Sequence, residues 1–446
     1  MQQTHFHNVS WKLIALLGFV ECHHCFSTTA PFGAVPQTDG HRKPQKRAYF
    51  ILSKIRYALK VLWVVVTVAS VCHQFAETFY GMATTATGIT DVMRGLRWRL
   101  KQLAALFTLY CLWRRRAELE SVCQRREQFE TLSRNIVGEE KYAVMVEGMR
   151  KFGRIFNFLS ITFLAVTHVE LAGEYITRYH SAVRVCPYTH ASVTLWTSEV
   201  FFWSTTDILT FIPYFAVTWW CTLIHAAVRS SRALREGLKI AAVTHGTSVG
   251  TLWKVSVMVR QYFLAVEGAF SGILFWHITA AVLTGLSFLG DMVDRTRDSA
   301  DGEWGHWLTA LVTPQLLIWN ILILVGIPTM FAIQFQEEME TLTDVILEQC
   351  QYSPGTETSS LETRMRMDFK MDLLILQKKP LAFTGLQYFF LDKGFIVTLV
   401  GFVTTYAVVI FELVKNDVAR VALQSVANDS GSQDPMRNPL NGNFVT

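Results

Sequence analysis

"KPLAFTGLQYFFLDKGFIVTLVGFVTTYAVVIFEL", residues 379–413, is the stretch whose reading decides the fold. From Gly394 onward it is almost wholly apolar for about twenty residues, the length a helix needs to cross roughly 30 Å of hydrocarbon. The run closes on TTYAVVIFEL (404–413), with Glu412 near its end. An acid at the centre of a membrane helix costs roughly 2.5–3.5 kcal/mol, and less near the interface. Two readings of Glu412 therefore stand side by side. It faces water or a partner, or it marks the outer membrane boundary beside Lys415 and Asp417. By i+3 and i+4 spacing, Thr405, Val409, Glu412, Leu413 and Asn416 share one broad helical face. Ala407, Ile410, Phe411 and Val414 lie opposite. A face that mixes small polar, apolar and acidic residues suits a water-filled lumen.

The rest of the chain agrees with a membrane setting. Of its 446 residues 51% are hydrophobic and only 17% charged, where soluble domains carry about 25% charged residues. Six further stretches are candidate spans: about 57–80, 84–113, 155–177, 197–226, 264–290 and 306–334. The second is the weakest, with Arg94, Arg97, Arg99 and Lys101 in its first half. In the sixth, Pro314 and Pro328 predict kinks. With the N-terminus placed inside, the cytoplasmic segments hold 30 of the 41 Lys and Arg residues. That bias predicts a cytoplasmic N-terminus and an extracellular C-terminus. The sequon at Asn428 then lies outside, where glycosylation occurs.

The segments between spans are patterned rather than disordered. Residues 114–154 read as a helix continuing the second span and then a return. In 333–350, Phe335, Met339, Leu342 and Ile346 recur at helical spacing. After a breaker-rich turn at 352–360, a second helix over about 361–378 carries Met365, Phe369, Leu373 and Leu376 on one face. Apolar helix faces of this kind bury themselves on something. At the other end of the chain, WKLIALLGFV (11–20) is too short to span and lacks a clear cleavage site, so it reads as an interfacial helix. The eight cysteines form no secreted disulfide framework. CHHC at 22–25 lacks the second ligand pair of a structural zinc site. The expected fold is thus an all-α membrane protein of seven transmembrane helices. A cytoplasmic N-terminal segment covers 1–56, the seven-helix domain 57–414 with cytoplasmic anchor helices over 333–393, and an extracellular tail 415–446.

Residues 379–413 resemble the last segment of arthropod gustatory receptors. That family's hallmark is Thr-Tyr, five hydrophobic residues, then Gln-Phe; here Thr405 and Tyr406 are followed by five apolar residues, then Glu412 and Leu413. The lead-in PLAFTGLQYFFLDKGFIVTLVG is also similar. The motif match spans about 35 residues, and the inverted seven-span plan extends a looser likeness over most of the chain. The resemblance implies a ligand-gated, non-selective cation channel in the plasma membrane, opened by a small tastant. It implies a homo- or hetero-tetramer with related receptors, whose pore is lined by the seventh helix and whose ligand pocket sits in the outer half of each bundle. Departure from the family at Glu412 and Leu413 puts the pore's chemistry in question. If Glu412 lines the lumen, four carboxylates concentrate cations, while Val409 and Leu413 form apolar constrictions.

For the pocket, the candidates are polar and aromatic residues of the outer half-spans. They are His168, Glu170 and Glu174 in the third, Glu199, Trp203, Thr206 and Asp207 in the fourth, Trp276 and His277 in the fifth, and Gln315, Trp319 and Asn320 in the sixth. Carboxylates beside Trp suit a hydroxyl-rich ligand such as a sugar or polyol, or a small cationic compound. Each residue also has a plainer role as interhelical glue or interfacial anchor. No Gly-rich phosphate loop, HExxH or nucleophile elbow is found, so no enzyme, cofactor, metal or nucleic-acid partner is expected. A transporter, which would carry internal repeats, and a G-protein-coupled receptor, which would have the opposite orientation, are the rival classes.

Overall fold

The computed structural model describes residues 42–85, 89–159, 161–162, 190–244, 249–298, 321–352, 381–409 and 412. Eight helices are described: α1 (Arg42–Thr85), α2 (Ile89–Arg114), α3 (Arg116–Val137), α4 (139–159), α5 (His190–Thr244), α6 (Val249–Asp298), α7 (Ile327–Tyr352) and α8 (Lys393–Val409). Among the described residues, Val61–Thr84, Leu209–Ala241 and Gly250–Ser287 are long and apolar enough to cross a membrane, and α8 is a shorter apolar helix. Helix α1 starts at Arg42, ahead of the span start expected near residue 57. Helices α5 and α6 run well past the spans expected at 197–226 and 264–290. Most of the third expected span and the first half of the sixth lie outside the described residues, as do 1–41 and 353–380.

The stretch read as the second span, α2, continues into a helix that turns back. One residue, Arg115, separates α2 from α3, and α3 buries Leu119, Val122, Phe129 and Ser133 along one stripe. The chain reverses at Gly138, whose φ of +88° strains any side chain. Arg134 closes the reversal from one side, 5.0 Å over the ring of Tyr142 on α4. Burial first, then the nearby Glu130 carboxylate, pushes the Tyr142 phenol up to about 12.

One core runs from α2 and α3 across α5 and α6 to α7. The expected face of α7 is buried in full: Phe335, Met339, Leu342 and Ile346 are each under 5% exposed. Phe383, from the stretch before the last helix, plugs the junction of α5, α6 and α7. Its ring lies 5.2 Å from Trp220, 4.9 Å from Phe263 and 5.3 Å from Phe335. It belongs to a small hairpin in which Thr384 pairs with Phe390 and Gly385 with Phe389. The hairpin's turn holds Leu386 and Gln387 at φ 50° and 65°, a conformation that costs non-glycine residues roughly 1–2 kcal/mol each. Gly385 is required, since a Cβ there would fall 2.3 Å from the Phe389 ring. The side chain of Asp392 then caps α8, accepting from the Phe395 N–H at 2.8 Å.

Candidate ligand site and the seventh helix

Two prolines disturb the bundle at one level. Pro213 lies inside α5. Pro328 stands at the start of α7, directly after a five-residue π turn, Leu322–Gly326. Proline has no N–H, so Pro328 leaves the carbonyl four residues earlier without its helical donor. That carbonyl belongs to Leu324, and the main chain of Leu324 is hydrogen-bonded by the imidazole of His277 on α6. A π turn thus stands directly before Pro328, where a kink was expected, and a histidine from another helix reaches the group the proline frees. Pro314 lies outside the described residues.

Leu324 and Pro213 also line a small cavity, together with Lys101 and Ala104 of α2, Thr210 and Tyr214 of α5, and His277, Ala280, Ala281 and Thr284 of α6. Its volume is about 20 Å³, room for one water molecule. His277 is 4% exposed, and its ring meets that of Tyr214 edge-on at 5.6 Å. Nε2 of His277 and Oγ1 of Thr284 have no hydrogen-bond partner among the described residues. With Nδ1–H given to the Leu324 carbonyl, Nε2 is the acceptor side of the neutral ring. Two residues that line one cavity thus each carry a buried polar atom that is costly to leave unsatisfied.

Of the residues expected to bind a ligand, this brings His277 to the cavity. Trp276 is turned elsewhere, stacked on Phe107 of α2 at 4.0 Å and 3°. That is packing between two helices, α2 and α6. Glu199, Trp203, Thr206 and Asp207 lie on α5, but their side chains are outside the described residues, as are His168, Glu170, Glu174, Gln315, Trp319 and Asn320 altogether. Lys101, Tyr214 and Thr284 were not expected. Lys101 was read only as a charge weakening the second span, yet it is 9% exposed. A second polar seam lies beside it, where Arg99 donates to Thr78 at 2.7 Å and to Gln102 at 2.9 Å.

Helix α8 is a different environment. Val397, Val400, Phe402, Val408 and Val409 are 48–73% exposed, and Thr405 and Glu412 are exposed as well. The Thr405 hydroxyl donates to the Gly401 carbonyl at 2.8 Å, and Tyr406 stacks on Phe402 at 6.4 Å. Leu413 and Asn428 lie outside the described residues.

No protein-family profile matches this chain, and no curated protein does. Solved structures do match. The insect olfactory receptor OR5 from Machilis hrabei superposes with a TM-score of 0.61 at 13% identity, over 91% of this chain and 99% of that one. The same receptor in complex with eugenol gives 0.59 at 13% identity, with the same coverage. The fold is that of an insect olfactory receptor, a membrane-protein fold, and the apolar helices agree with it.

Proposed function

We propose that this chain is a gustatory-type chemosensory receptor: a ligand-gated, non-selective cation channel of the plasma membrane. In this reading seven helices cross with the N-terminus in the cytoplasm, four copies assemble, alone or with related receptors, and α8 from each lines the pore. The observation that carries it is the pairing of fold and last helix. The olfactory-receptor likeness covers nearly the whole chain. The motif-bearing α8 is apolar yet bare along most of its length, with Thr405 and Glu412 exposed on it. An apolar helix left uncovered in one chain needs lipid or other copies around it.

The ligand enters at the His277 cavity. Its free acceptor and the Thr284 hydroxyl favour a hydroxyl-bearing tastant of the alcohol, polyol or sugar class over a cationic one. Because the cavity holds only one water, binding must part α2, α5 and α6 at the level of Pro213 and the π turn. The pocket residues Asp207, Trp203, Glu199, Glu170, Glu174, Trp319 and Asn320 belong to the outer mouth in this proposal. Expression in oocytes, with a panel of sugars, polyols, phenols and amines, tests it by cation current and single-channel steps. His277→Ala should weaken the response to the active hydroxyl compound at least tenfold in concentration, with surface level unchanged. Transport currents without unitary openings would replace the channel with a transporter.

A further inference from the structure

Glu267 sits on α6 inside the apolar stretch Gly250–Ser287, where a carboxylate is held only if something satisfies it. What satisfies it is the hairpin before α8. The Thr384 N–H donates to both carboxylate oxygens, at 3.1 and 3.2 Å, and the Thr384 hydroxyl donates to Oε1. The hairpin has little strength of its own: each strand is two residues long, and two turn residues are left-handed. Isolated hairpins of this kind are marginal, so its position is set by what grips it from outside. Nine residues beyond Thr384, at the start of α8, Lys393 is held by Glu337 of α7 at 2.8 Å. That second grip is solvent-exposed and correspondingly weak.

We propose that Glu267 is a positioning residue for α8, a latch that carries movement of α6 through the hairpin into the root of the seventh helix. The same helix carries His277, ten residues further on, about 15 Å along the axis at 1.5 Å per residue. A ligand that shifts α6 at the cavity therefore shifts the anchor point of the hairpin. The channel reading enters this inference only at the gating step; the mechanical link between Glu267 and α8 stands apart from it.

The test uses the full-length purified protein and the same variants in cells. Glu267→Gln keeps the shape and loses the charge, Thr384→Val removes only the hydroxyl, and Thr384→Ser restores it. Amide hydrogen exchange over 383–391 and over the first turns of α8 should accelerate about tenfold or more in the Gln and Val variants. The double variant should go no further than either single one, and Thr384→Ser should match wild type. Loosening of 383–391 with α8 unchanged, additive effects, or no change at all would overturn the latch. In cells, the Gln and Val variants should change basal cation current at least threefold at equal surface level, and Thr384→Ser should not. Coupled exchange in a protein that passes no current in any variant, wild type included, would keep the latch and sink the channel.

Discussion

The root and the shaft of α8 are neighbours in sequence and opposites in surroundings. In the root, Phe383 is 1% exposed between α5, α6 and α7, and Leu391 is fully buried. In the shaft, Val397 is 73% exposed and Phe402 52%. Both are apolar, so hydrophobicity alone does not tell one from the other. What differs is geometry. The hairpin turns its aromatic plug inward and is gripped by a carboxylate, whereas α8 packs Phe395 and Leu399 on the core and exposes Val397, Val400, Phe402, Val408 and Val409. A helix secured at one end and bare along most of its length can move as a unit, and it offers a surface to lipid or to further copies.

Two glycines break or sharpen this contrast most strongly. At Gly385 a Cβ would meet the Phe389 ring at 2.3–2.8 Å, whereas at Gly401 nothing lies within 4 Å. Gly385→Ala should abolish surface expression or reduce it several-fold, because ring and strand must both shift. Gly401→Ala should express as wild type, measured by surface biotinylation. Equal loss from both would mean that the shaft is packed as tightly as the root.

Next in size are two phenylalanines. Phe383→Ala removes the plug from a closed junction and should cost about 3–5 kcal/mol. Phe402→Ala on the exposed shaft should change the stability of the purified chain by no more than about 0.5 kcal/mol. Thermal unfolding in detergent reads both. A large effect at Phe402 would show that the assembled protein covers the shaft with side chains rather than lipid.

Much of this was legible in the sequence. The period of Phe335, Met339, Leu342 and Ile346 named the buried face of α7, and Pro328 marked the disturbed turn. The partner of that turn was not legible, because a missing N–H says which carbonyl is freed but not which distant side chain reaches it. His277 was named for its polarity, and its role came from the helix it faces. The hairpin was missed as a hairpin: its strands are two residues each, and its left-handed residues are Leu386 and Gln387, not glycine or asparagine. Glu267 was missed although the signal was present. An acid inside an apolar run was the rule applied to Asp207, and the same rule points at Glu267. The acids expected to line a pocket, Glu170, Glu174, Glu199 and Asp207, have side chains outside the described residues, so the small cavity at Lys101 and His277 neither includes nor excludes them.

The smallest perturbation of the fold falls at the far end of the shaft. Glu412 is exposed in the single chain, so Glu412→Gln should leave expression and unfolding unchanged. If four copies place Glu412 around a pore, the same change removes up to four negative charges at constant shape. A charge pair at ~4 Å is worth about 1 kcal/mol in bulk water and about 4 kcal/mol at an effective dielectric of 20. A divalent ion feels twice the field of a monovalent one. Calcium permeability relative to sodium should therefore fall, and block by external calcium should weaken. Ligand sensitivity should move less than permeation, since the His277 cavity lies elsewhere in the bundle. Reversal potentials in mixed sodium and calcium solutions decide the matter. Identical values for wild type and Glu412→Gln would put Glu412 at the membrane boundary and leave the narrow part of the pore to Val409 and Leu413.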